Sequence, residues 1–214
     1  MLPQVQWTEF IPEDLKVLVR ESGNVLDGNV SPFELEVISK LVKVAAPETI
    51  FEIGTFDGRT TLNLAAQSGH NTRVYTLDLP AESLDHTKLS LEYHDRKYVQ
   101  KPQSGIRFHG TDVERKIVQF YGDSASFDYG PFLGKVDFIF IDGSHSYEYV
   151  LSDSLWAMKM IRKAGIIAWH DYVSAGHCCW PGLVKALDEL HGGNPAFRQM
   201  KHIADTALVV LVSG

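Results

Sequence analysis

Short apolar runs alternate along the chain with segments whose apolar residues recur every three or four positions. The runs TIFEIG (Thr49–Gly54), RVYTLDL (Arg73–Leu79), KIVQFYGD (Lys116–Asp123), KVDFIFID (Lys135–Asp142) and GIIAWHD (Gly165–Asp171) predict strands. Between them lie helical patterns. Ser31 reads as an N-cap, Pro32 as the first helical residue and Glu34 as the closing member of a capping box. Leu35, Ile38, Leu41, Val42 and Ala45 then share a face, and Pro47 stops the helix. Thr60–Ser68, Tyr147–Arg162 and Pro181–His191 read as helices, with Val150, Leu151, Leu155, Met158 and Ile161 as the apolar positions of the second. Shorter helical patterns fall at Pro12–Glu21 and Ser83–Tyr93. FRQMKHI and TALVVLV close the chain as two strands separated by Ala204 and Asp205.

Strands alternating with helices imply an α/β fold, a mostly parallel sheet with helices on both faces. The last two strands are too closely linked for a parallel crossover, so they pair antiparallel. Residues 1–30 are mixed in pattern and read as an N-terminal arm, a lid or dimer contact, ahead of a single domain over 31–214. In sheets of this kind ligands bind beyond the carboxyl ends of the strands. That rule selects Glu52 to Gly58, Asp78, Gly122 to Ser124, Asp142 to His145, and His170 with Asp171.

Composition narrows the function. With 214 residues, 44% of them hydrophobic, the chain suits one globular domain with a full core. A formal charge of -7 supplies no basic field for nucleic acid or anionic lipid. No run approaches a membrane span, and the first residues lack the basic and apolar regions of a signal peptide. Cys178 and Cys179 are adjacent and poorly placed to bridge each other, so the expected setting is reducing and cytoplasmic.

The turn FEIGTFDGRTTL places Gly54 and Gly58 between the first strand and its helix, without the dinucleotide fingerprint or a phosphate loop. Glycines there let backbone approach a ligand, or simply make a tight turn. Asp78 either accepts from a ribose diol or caps a loop. Glu52 is a carboxylate inside an apolar strand and needs partners. Asp142, His145, His170 and Asp171 stand at the ends of strands expected to be neighbours. Two acids and two imidazoles converging on one cavity suit a divalent metal; taken singly, each also suits a cap or a satisfied polar group. Trp169, Tyr172, His177, Cys178, Cys179 and Trp180 crowd the segment that follows, as an acceptor-pocket wall or as packing under a loop. Arg59 faces either an anion or solvent.

The motifs FEIGTFDGRTTL, VYTLDLP, FYGDSASFD, VDFIFIDGSHSYE and GIIAWHDY follow one another in that order. Together they resemble class I S-adenosylmethionine (SAM) dependent methyltransferases over about residues 48–212. The likeness is strongest to small catechol-type O-methyltransferases and to metal-dependent sugar O-methyltransferases of antibiotic pathways. The resemblance implies a Rossmann-like seven-stranded sheet with the last strand inserted antiparallel. It implies that Glu52, Gly54 and Gly58 line the methionine part of SAM, with Thr55 in the same turn and Thr60 near the carboxylate. Asp78 would hold the ribose, and Asp123 and Ser124 would lie near the adenine. Asp142, with His170 and Asp171 on the acid pair of the related enzymes, would hold a divalent ion such as Mg²⁺ or Mn²⁺. His170 departs from the all-oxygen pattern and shifts the expectation toward Mn²⁺, Fe²⁺ or Zn²⁺, or toward no metal. His145 matches a general base.

The chemistry explains the set. The sulfonium already activates the methyl group, whereas an acceptor hydroxyl is hardly ionised at neutral pH. A cation on that oxygen and an imidazole beside it would address the second difficulty. The expectation is therefore methyl transfer to the hydroxyl of a small molecule, with no nucleic acid or membrane partner, by a monomer or homo-oligomer. Two other readings compete. A metal-dependent hydrolase would use the acid and histidine cluster and leave Glu52, Gly54, Gly58 and Asp78 unexplained; a non-catalytic module would bind SAM without turnover.

Overall fold

The computed structural model describes residues 1–20, 24–173 and 180–214. Its strands are β1 (Gln4–Val5), β2 (Thr49–Ile53), β3 (Arg73–Asp78), β4 (Ile117–Tyr121), β5 (Val136–Ile141), β6 (Ile161–Trp169), β7 (Lys201–Ile203) and β8 (Val209–Val212). The helices are α1 (Pro32–Ala45), α2 (Arg59–Gln67), α3 (Arg96–Val99), α4 (Tyr147–Met160) and α5 (Pro181–Gly193). One sheet runs in the order β1-β7-β8-β6-β5-β2-β3-β4. β8 lies antiparallel to both β6 and β7, and the remaining pairs are parallel.

Alternation along the central strands divides the core into two layers. Phe51, Ile53, Ile139 and Ile141 pack on one face with residues of α4 and α5. Ile50, Phe138 and Phe140 pack on the other with α1 and α2. Burial on both faces is why these strands read as almost continuous apolar runs. The start of α1 follows its sequence signal: Ser31 Oγ accepts from Glu34 N and Glu34 Oε2 accepts from Ser31 N, at 3.2 and 2.9 Å.

Several boundaries differ from the sequence reading. The sheet has eight strands rather than seven, because Gln4–Val5 of the arm pairs with the edge strand β7. Leu2, Ile11 and Val30 are buried and anchor the arm to the core at those points, while most of its other described residues are exposed. Residues 12–20 form no helix, and 83–93 hold only the end of a 3₁₀ turn (Ala81–Ser83) and the start of another (Tyr93–Asp95). β7 is three residues long: of the expected strand, Phe197 ends a 3₁₀ turn (Pro195–Phe197) and residues 198–199 continue as a turn. α4 ends at Met160, and Ile161 pairs with Val136 instead of continuing the helix. Burial on the sheet outweighs the helical spacing there. No helix among the described residues is long and apolar enough to cross a membrane.

Candidate functional site

The carboxyl ends of β2, β3, β4 and β5 open into a cleft. Gly54, Asp78, Asp123, Ser124 and Asp142 line it, each just at or past a strand end. Gly54 sits at φ +97°, and a Cβ there would lie 1.9 Å from the carbonyl oxygen of Asp142. The turns after β2 and β5 thus touch through backbone alone, which keeps the floor of the cleft open. Asp78, nearly buried, forms an ion pair with Lys101 at 2.6 Å. Asp123 accepts from the Lys88 and Ala125 backbone amides and from the Tyr149 hydroxyl.

Four residues expected at the cofactor fall outside the cleft lining. Glu52 is fully buried and accepts from the hydroxyls of Thr61 and Thr76, tying β2 to α2 and β3. Burial raises its pKa to about 8, so it is mostly protonated at neutral pH. Thr55 shares a hydrogen bond of 2.6 Å with Thr76. Gly58 packs against Phe108 and Gly105, and Thr60 is half-buried in the first turn of α2. Arg59 does not face solvent: it is buried and donates to the Val30 carbonyl.

Asp142 also belongs to a second group. One ligand atom each of Asp142, His170 and Asp171 lies within 4.8 Å of the others. The parallel register sets this up, since Ile141 pairs with Trp169 and the next residues of both strands leave the sheet together. Asp171 takes φ +65°, a left-handed conformation rare for a residue with a side chain, at the point where the chain turns out of β6. His170 Nδ1 lies 3.3 Å from Asp142 and 3.1 Å from Asp171, and its Nε2 lies 3.3 Å from Glu34. None of these approaches is aligned as a hydrogen bond, so charge rather than directed bonding holds the ring. Burial opposes a charge on His170, but Asp171 and Asp142 raise its pKa well above the ordinary value. Although burial would raise Glu34, its partner His170 holds it down at about 2. Burial raises Asp142, whereas for Asp171 the charge of His170 and the hydrogen bond from His145 overcome burial and lower it.

His145 stands between two carboxylates. Its Nδ1 is 2.5 Å from Asp95 and its Nε2 is 2.7 Å from Asp171. Burial opposes the charge, but the two acids raise its pKa to about 10. Both nitrogens therefore donate, and neither is free to accept a proton in this arrangement. Trp180 stacks on the ring at 3.9 Å and 13°.

Sequence reasoning missed Asp95 and Lys101. Both lie in a polar stretch without periodicity, where no motif marks them. Leu91, Asp95, Tyr98, Val99 and Lys101 form a strap along the cleft wall. Of the aromatic residues at and after the end of β6, Tyr172 belongs to the core and its hydroxyl donates to Asp188, whereas Trp169, whose indole donates to Ser154, is buried in the core and also lines a small cavity with Asp142, His145, His170 and Asp171. His177, Cys178 and Cys179 lie outside the described residues.

Comparisons with known proteins bear on this site. Residues 51–172 match the sequence family described as a methyltransferase domain. A protein of Arabidopsis thaliana that bears the provisional name caffeoyl-CoA O-methyltransferase is 26% identical over 161 residues, which is 75% of this chain. The chain spans 62% of the length of that relative. Among solved structures, an O-methyltransferase of Streptomyces achromogenes involved in tomaymycin synthesis, in complex with SAM, superposes with a TM-score of 0.60. It shares 18% identity, and the match covers 88% of this chain and 83% of that one. An O-methyltransferase of Bacillus cereus in complex with S-adenosylhomocysteine (SAH) also gives 0.60, with 19% identity and coverage of 87% and 83%. At such identities the structural likeness speaks for the fold.

Proposed function

Because the chain belongs to the methyltransferase-domain family, we propose that it is a SAM-dependent O-methyltransferase acting on the hydroxyl group of a small molecule. The observation that carries this reading is the position of Asp142. It lines the cleft shared with Gly54, Asp78, Asp123 and Ser124, and it is also a member of the acid and imidazole cluster. A methyl donor in the first and an acceptor at the second would meet at one strand end. The relatives named as O-methyltransferases support the acceptor atom.

The cleft fits the donor. Its floor is glycine backbone, and an acid stands at the end of β3 where ribose hydroxyls can donate to it. SAM supplies a methyl group activated by its sulfonium. Asp78 holds the ribose, Gly54 admits the methionine part, and Asp123 with Ser124 borders the adenine. Glu52, Thr55, Gly58 and Thr60 act behind this wall, by holding the β2–α2 turn in shape.

The cluster fits a divalent ion. Two carboxylates and an imidazole converge, and the His170 nitrogens are enclosed without directed partners. Asp142, His170 and Asp171 would hold the ion, which would supply a lowered pKa to an acceptor hydroxyl. His145 is the general base of this proposal, acting through Nε2. As an imidazolium it cannot serve; the role requires Nε2 to part from Asp171, which removes one of the two carboxylates that hold its proton. The remainder is alignment of oxygen, methyl and sulfur, which the adjoining cavities favour.

Calorimetric titration of the metal-stripped chain with SAH, and then with Mn²⁺, tests the proposal. SAH binding abolished by Asp78→Asn, together with a Mn²⁺ heat abolished by Asp142→Asn, is the expected result. No SAH binding with or without Mn²⁺ would overturn it.

A further inference from the structure

Asp95 is only 4% exposed, although it sits in a polar segment, between the 3₁₀ turn Tyr93–Asp95 that it ends and the single turn of α3. Its carboxylate is committed to one turn. Oδ2 accepts from the Ser144 hydroxyl at 2.7 Å and from the His145 backbone amide at 2.9 Å, while Oδ1 accepts from His145 Nδ1 at 2.5 Å. The last bond fixes the ring. With Nδ1 held by Asp95, Nε2 is the nitrogen that faces Asp171 and the cluster behind it. Asp95 and Ser144 also line the cleft.

The strap that carries Asp95 has little else to hold it. Tyr98 meets Phe56 edge to face at 5.9 Å. Lys97 pairs with Asp27 and Arg96 with Asp85, both at exposed positions where such pairs contribute little. The buried attachments are Asp95 on Ser144 and His145, and Lys101 on Asp78. The Asp95 attachment fastens the strap beside the acceptor cluster; the Lys101 pair stands at the ribose acid, where a bound donor competes for it, so closure over the donor rests on Asp95.

We propose that Asp95 is a positioning residue: it orients His145 while the strap spanning residues 91–101 lies closed on the cleft, so that donor binding and the orientation of His145 are coupled. This rests on the methyltransferase reading for the identity of the donor. A ligand filling the cleft favours the closed strap, and the closed strap alone presents Asp95 to the imidazole. Opening the strap frees the ring to rotate. Asp95 touches neither reacting atom; it acts through His145.

Long-range proton–nitrogen NMR of the ¹⁵N-labelled full chain tests this without knowledge of the acceptor. The His145 ring signals are assigned by their loss in His145→Gln. In the wild type, the Nδ1 proton is expected far downfield, and saturating SAH slows its exchange with water about tenfold or more by suppressing the open strap. In Asp95→Asn that downfield signal is lost, and SAH binds more weakly, by up to the factor by which it slowed exchange in the wild type. If Asp95→Asn fails to fold by circular dichroism, Asp95→Glu takes its place, with the signal displaced and SAH binding retained. Survival of the signal in the variant overturns the proposal, as does wild-type exchange that ignores bound SAH. If the wild type does not bind SAH at all, the donor reading fails and the coupling with it. The tie between Asp95 and His145 would still be read from the variant spectrum.

Discussion

Lys101 Nζ stands 2.6 Å from Asp78 Oδ2, and both side chains are at least nine-tenths buried. An ammonium thus occupies the acid proposed for the ribose. The hydroxyls of a bound nucleoside compete with it, and part of the binding free energy goes to breaking the pair. Lys101→Met keeps the stem and removes the charge. It should bind SAH about five- to tenfold more tightly than the wild type by calorimetry. Equal or weaker binding would mean that Lys101 and the ribose do not compete.

Gly54 is the narrowest point of the fold near the cleft. Its φ of +97°, and the 1.9 Å that would separate an added Cβ from the Asp142 carbonyl oxygen, leave no room for alanine. Neither atom sits on a flexible side chain, so the turns after β2 and β5 must part. Gly54→Ala should lose about 3 kcal/mol or more of stability in urea unfolding, and SAH binding with it. A loss below about 1 kcal/mol would show that the turns separate easily.

The legible parts of this protein were those where burial leaves a pattern. Strands covered on both faces read as apolar runs, and the Ser31 capping box and the glycine turn follow local chemistry. β1 was invisible because two residues carry no periodicity, and its pairing with β7 is a property of the tertiary fold. Ile161 fitted a helical face equally well, and its pairing with Val136 decided otherwise. In the site, Asp142, His170 and Asp171 could be grouped because neighbouring strand ends bring them together. Asp95 and Lys101 reach the cleft from a polar segment of short turns without apolar periodicity, and nothing local marks such a residue.

Glu52 makes stability depend on pH in a direction opposite to most acids. Burial raises its folded pKa from 4.5 to about 8. Between those values the folded chain keeps a proton that the unfolded chain has lost. Stability is therefore fully present below about pH 4.5 and declines as pH rises toward about 8, by a few kcal/mol at most. Glu52→Gln, uncharged throughout, should remove this contribution and leave the fold intact. Urea unfolding at pH 5, 6.5 and 8 checks it; an identical slope in variant and wild type would place the titration elsewhere.

His170 gives the cluster its chemical preference. Mg²⁺ selects oxygen ligands, whereas an imidazole suits Mn²⁺, Fe²⁺ and Zn²⁺. With Asp142 and Asp171 as the other ligands, the wild type should bind Mn²⁺ more tightly than Mg²⁺, by about thirtyfold or more in calorimetric titration. His170→Asn replaces the nitrogen by an amide oxygen of similar reach. It should weaken Mn²⁺ more than Mg²⁺ and so narrow the ratio. The same change removes the partner that holds Glu34 at about 2, so some loss of thermal stability is expected as well. That loss falls on the protein irrespective of the ion, whereas the change in the Mn²⁺ to Mg²⁺ ratio does not follow from it. A ratio unaltered in the variant would remove His170 from the ligand set. It would leave the histidine as a charge partner for Asp142, Asp171 and Glu34 alone.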